Sequence, residues 1–84
     1  LDSGEAILEQ AAIAALGEIG AVETVDRLVT FVSSDNWLVR QRLAEALGAL
    51  PCEKSLAAVK FLVKDDHPQV QEAAQYSLDR LSNS

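Results

Sequence analysis

Cys52 and His67 are the sole cysteine and histidine of the sequence. A thiol and an imidazole form the smallest pair that could run nucleophilic catalysis, the imidazole taking the proton and the thiolate attacking. The two side chains must then lie within hydrogen-bond reach. Cys52 follows Pro51 at the turn between two helical patterns, whereas His67 opens the next pattern, at the far end of the intervening helix. A helix of about 12 residues holds its ends roughly 18 Å apart. The spacing therefore excludes the dyad, and Cys52 reads as a structural or incidental thiol. His67 beside Asp65 and Asp66 offers one imidazole and two neighbouring carboxylates. At a helix start these read as capping and loop groups rather than as a metal site. No catalytic, metal-binding or cofactor-binding residue is expected.

The elements that position these residues recur with a period of 31: Asp35 and Asp66, Val39 and Val70, Leu47 and Leu78, Leu50 and Leu81. Ala15-Leu16-Gly17 returns as Ala46-Leu47-Gly48, and Val32 as Val63. A fixed period of this size marks a stack of repeats. Each period holds two helical patterns. Leu38, Val39, Leu43, Ala46, Leu47 and Leu50 fall at spacings of three and four, as do Leu56, Val59, Leu62 and Val63. Asp35 and Asp66 are the expected N-caps, Pro51 the expected stop, and Pro68 sits in a tolerated first turn. The shifted pattern predicts helices over about 5–18, closed by Gly17 and Gly20, then 22–33 and 67–81. Short loops make sequential helices antiparallel neighbours. The expected fold is all-α: a right-handed α-solenoid of helical hairpins, five helices in about two and a half repeats, 4–34, 35–65 and 66–84.

Eighty-four residues make one small domain, half apolar and a quarter charged, which is a folded composition. A net charge of −6 argues against nucleic acid and anionic membrane as partners. No apolar run reaches the roughly 18–20 residues of a membrane span, and nothing resembles a signal peptide. A cytoplasmic, reducing compartment is the plain reading. With no methionine, Leu1 does not read as an initiation site, so the chain is expected to be a segment of a longer protein.

The segment from Asp35 through Trp37-Leu38-Val39-Arg40 to Ala46-Leu47-Gly48 resembles the phycobilisome-lyase type HEAT-like (armadillo-like) repeat. Its features there are an aspartate at the start, a Val-Arg pair and a closing Ala-Leu-Gly. Ala14–Gly20 resembles the end of the same motif, and Asp66–Leu81 a weaker third copy. The resemblance implies a protein-binding module whose second helices line a concave face. It implies a phycobiliprotein or phycobilisome partner, in the cytoplasm of a cyanobacterium beside the thylakoid. The alternative it carries is part of an E/F-type bilin lyase, attaching or detaching a phycobilin chromophore. The chain departs from the motif at the arginine column, which reads Glu9, Arg40, Gln71, and Asp79 stands where Gly17 and Gly48 stood. The second departure suggests an end to the stack.

Aligning the repeats separates core from surface. Phe31 matches Leu62, but Phe61 matches Thr30, Trp37 matches Ala6 and Pro68, and Tyr76 matches Ala14 and Glu45. Trp37 and Phe61 fall at one edge of the hairpin, flanked by Lys60 and Lys64, and these four are the candidate partner-binding residues. Trp37 also reads as a staple over the joint between repeats, since half-buried aromatics commonly serve packing. Lys54, Lys60 and Lys64 read as a basic stripe for an acidic partner or bilin propionates, or as a solvated face. Opposite charges in the Glu9/Arg40 column predict an ion pair between stacked helices. Exposed repeat ends would permit self-association.

Overall fold

The computed structural model describes residues 3–20 and 22–83. It contains α1 (Ser3–Ile19), α2 (Val22–Leu28) continued by a 3-10 segment (Val29–Ser33), α3 (Trp37–Leu47), α4 (Glu53–Leu62) and α5 (Pro68–Ser82). No strand occurs among the described residues. Helices α1, α3 and α5 pack side by side as one layer, with α2, its 3-10 continuation and α4 as the second. The slab measures 40 × 28 × 14 Å between Cα extremes, as two layers of helices require.

The core lies between the layers and is built from equivalent positions of the repeats. Val39 and Val70, Leu28 and Val59, and Leu43 and Ala74 are all fully buried. Each large side chain so placed contributes about 1.5–3 kcal/mol relative to exposure. Successive first-layer helices touch through small residues. A Cβ added at Gly17 would meet the Ala46 Cβ at 3.7 Å; one added at Gly48 would stand 2.8 Å from the Ser77 Cβ and 3.2 Å from its Cα. Ser77 makes the second crossing tighter because its hydroxyl donates to the Ala44 carbonyl at 2.6 Å.

The helix ends differ from expectation in four places. Gly17 lies inside α1, and Gly20 alone closes it, at φ +68° with its N–H on the Leu16 carbonyl. The second helix loses its α-geometry after Leu28, where Val29, Thr30 and Val32 crowd the backbone with β-branched side chains. Thr30 also turns its hydroxyl back to the Arg27 carbonyl at 2.6 Å. Helix α3 ends at Leu47, and the turn through Gly48, Ala49 and Leu50 has closed before Pro51 is reached. Finally, Asp35 and Asp66 are not the caps. Asn36 caps α3, its Oδ1 accepting from the Leu38 N–H at 2.9 Å, and His67 caps α5, its Nδ1 accepting from the Gln69 N–H at 3.3 Å. The cap column lies one residue further on.

Candidate recognition edge

Two equivalent turns build one edge of the slab. In the first, the Ser34 hydroxyl accepts from the Asn36 N–H at 3.3 Å; in the second, Asp65 Oδ1 accepts from the His67 N–H at 2.9 Å. Each turn is also held by a side chain six residues on. Arg40 Nη1 donates to the Ser34 carbonyl at 2.7 Å, and Gln71 donates its amide to the Asp65 carbonyl. Arginine does more than glutamine can. Its Nε and Nη2 reach forward to the Asp65 carboxylate at 2.7 and 3.1 Å, so one guanidinium ties two turns together.

This overturns the ion pair expected between Glu9 and Arg40. Both side chains point forward along the stack instead: Glu9 accepts from the Ser34 hydroxyl at 3.3 Å, as Arg40 binds Asp65. Burial of Asp65 alone would raise its pKa. The bonds from Arg40 and the His67 N–H, with the charge of Arg40, outweigh it and hold the carboxyl below its ordinary range.

Beside this bridge lies an open groove of about 460 Å³, lined by Val32, Asp35, Arg40, Phe61, Lys64 and Asp66 among others. Phe61 is 61 % exposed at its rim. The same edge carries a second groove one repeat earlier, where Thr30 replaces Phe61 and Glu5 and Glu9 add acidity. The two share Ser33, Ser34 and Asp35, so the depression runs along the edge across both turns.

The four residues singled out in the sequence part company. Phe61 and Lys64 line the groove together; Lys60 is exposed but does not line it. Trp37 is half-buried against the core, its indole stacked on the His67 ring with centroids 4.0 Å apart and planes 6° apart. The lysine stripe is also divided. Lys54 forms an ion pair with Asp26 on α2, and Lys64 lies beyond the end of α4. The Asp26 bond and charge raise the Lys54 pKa. Tyr76 is exposed, with the Arg80 guanidinium 5.8 Å over its ring.

Cys52 has a local role. It caps α4, its Sγ accepting from the Ser55 N–H at 3.5 Å. Burial pushes the thiol up, but the Ser55 hydroxyl and N–H, the Lys54 N–H and the Lys54 charge pull it lower, and the net shift is downward. No group of three or more His, Cys, Asp or Glu side chains able to hold a metal occurs among the described residues. Among them, too, no helix is long and apolar enough to cross a membrane.

Sequence reasoning missed the turn residues Ser34 and Asn36, and gave Asp65 only a general capping or loop role. Their signal was available, since Ser34/Asp65 and Asn36/His67 are themselves 31 residues apart. It was hidden because serine and aspartate, or asparagine and histidine, share hydrogen-bonding function rather than shape.

Two layers of antiparallel helices, repeated with one turn chemistry, define an α-helical repeat protein. The chain belongs to the HEAT repeats family, whose pattern matches residues 1–79. HEAT repeats generally mediate protein interaction. No curated protein and no solved structure matches the chain.

Proposed function

We propose that the chain is a protein-binding HEAT-like module that takes its partner along the edge formed by the two turns, with Phe61 as the apolar anchor and Lys64 beside it. The observation that carries this is Phe61, a large aromatic left 61 % exposed over a groove where the preceding repeat has threonine. Exposed aromatics in a concave setting are the residues that gain most from a partner's surface. Trp37 acts behind this edge by fixing the start of α5. Lys60 lies one residue before Phe61 and would contribute charge at the rim.

The partner we propose is a phycobiliprotein, on the resemblance of residues 35–48 to the phycobilisome-lyase type repeat. The bilin-lyase alternative rests on those same residues, and on no group of side chains described above. Its mechanism would be positioning of a phycobilin rather than chemistry by this chain.

The test uses purified phycocyanin with the wild-type chain and Phe61→Ser. Binding to the wild type, weakened at least about tenfold (1.4 kcal/mol) by the substitution at unchanged melting temperature, is the expected result. Equal binding by both proteins would overturn the edge, and no binding by either would overturn the phycobiliprotein. Titration with phycocyanobilin should leave the chromophore's absorption and circular dichroism unchanged; an induced signal would favour the lyase.

A further inference from the structure

Tyr76 is an aromatic that its column does not require, since the equivalent positions hold Ala14 and Glu45. It is 65 % exposed on the solvent side of the first layer. Stacking does not cover this column. Glu45 has α1 on one flank of its helix and α5 on the other, and Ala14 has α3 beyond it, yet both residues are exposed. The exposure of Tyr76 is thus a property of the column and not of its place in the stack.

Between α3 and α5 the same side forms an open valley of about 510 Å³, lined by Gln41, Glu45, Gln69, Glu72, Ala73 and Tyr76. Gln41 and Glu45 are four residues apart on one helix, as are Glu72 and Tyr76 on the other, so each pair shares a wall. Two carboxylates, two amides and an aromatic ring line the valley, and no lysine or arginine does. Glu72 has no ion pair among the described residues. Glu45 meets Arg42 through Oε1 alone, at 3.3 Å, in an exposed pair that contributes little. The Tyr76 ring is already a platform for a guanidinium, since that of Arg80 lies 5.8 Å over it. Acceptors on both walls with a π face beside them suit a planar cation with several donors, which is arginine rather than lysine. The net charge of −6 favours the same sign and disfavours nucleic acid or anionic lipid as the occupant.

We propose that the valley between α3 and α5 docks an arginine-bearing segment of a partner protein, the guanidinium lying on Tyr76 and between the Glu45 and Glu72 carboxylates. The surface is separate from the Phe61 edge and does not depend on it.

Two short capped peptides test this, identical except that one carries arginine where the other carries citrulline, which keeps the shape and removes the charge. Each is titrated into the isotope-labelled chain. The arginine peptide should shift amide resonances of α3 and α5 along the valley and bind at least about tenfold tighter than its citrulline counterpart, an advantage that salt reduces. Tyr76→Ser, at an exposed position, should keep the wild-type melting curve and lose about two- to fivefold in affinity. Glu72→Gln should narrow the preference for arginine by about threefold, while Phe61→Ser should bind the peptide as the wild type does. Equal affinities for the two peptides, shifts spread over the acidic surface rather than along the valley, or an indifferent Tyr76→Ser would overturn the proposal. So would free arginine binding as tightly as the peptide, or concentration-dependent broadening of the valley resonances without peptide, which would assign the surface to a small molecule or to a second copy.

Discussion

The Trp37 indole and the His67 imidazole lie flat on one another, 4.0 Å between centroids, and the same imidazole caps α5 through Nδ1. Because Nδ1 accepts the Gln69 N–H, the neutral ring carries its hydrogen on Nε2. One ring thus ends a turn on its edge and holds a neighbouring helix on its face. Trp37 at the first turn of α3 is thereby coupled to the start of α5, one repeat later.

Trp37→Ala should therefore cost stability, about 2 kcal/mol or roughly 10 °C in melting temperature for a domain of this size. His67→Asn copies the cap used at Asn36 while removing the stack. In that background, Trp37→Ala should cost about 1 kcal/mol less, the coupling expected of an aromatic pair. A double-mutant cycle by chemical denaturation measures it, and a zero coupling would remove the staple.

The Arg40–Asp65 bridge sets an acid limit. Asp65 has a folded pKa below its unfolded value, so its contribution is complete above the unfolded pKa and is lost as pH falls through the folded one. Asp65→Asn should cost about 2 kcal/mol at neutral pH, because Arg40 keeps its burial and loses its charge partner. The deficit should begin to shrink below about pH 4, the unfolded value, and go on shrinking as the folded carboxyl takes up its proton at lower pH. Melting temperatures of both proteins across the acid range check the sign. A deficit constant down to the lowest pH would exclude the linkage.

Gly17 and Gly48 are equivalent in sequence but not in tolerance. At Gly17 an added Cβ makes ordinary contact with Ala46 at 3.7 Å, so Gly17→Ala should stabilise α1 by up to about 1 kcal/mol through helix propensity. At Gly48 it would stand 2.8 Å from the Ser77 Cβ, and Ser77 is held by its bond to Ala44. Gly48→Ala should destabilise by about 1–3 kcal/mol. Opposite shifts in denaturation midpoint are the expected result, and parallel shifts would mean that the crossings do not differ.

The period of 31 made the helices, the core columns and the pairing of equivalent positions legible, because apolar burial repeats with residue type. The turns were not legible to the same degree. Aspartate is a strong N-cap in general, so Asp35 and Asp66 drew attention from Asn36 and His67, whose backbone position decides the matter. The Arg40 contact was misplaced for a related reason. A column says which residues are equivalent, not which touch, and the long guanidinium reaches forward to Asp65, 25 residues ahead. Phe61 was found because its column departs from the pattern, and Tyr76 for the same reason.

Cys52 caps α4 with sulfur where most helices use oxygen, and a thiolate accepts the Ser55 N–H better than a thiol does. Its pKa lies below the ordinary thiol value, so the folded cap favours the deprotonated form. Stability from this source is present above the unfolded pKa and falls away as pH drops through the folded one, so it grows only on the alkaline side. Alkylation of the folded chain should show a pH midpoint below that of an unstructured cysteine peptide measured alongside. Cys52→Ser should keep the cap and remove the alkaline gain, whereas Cys52→Ala should lose about 1 kcal/mol near neutral pH and more as pH rises. If alkylation of the folded chain titrates at or above the peptide's midpoint, burial outweighs the cap and the sulfur is a passive filler.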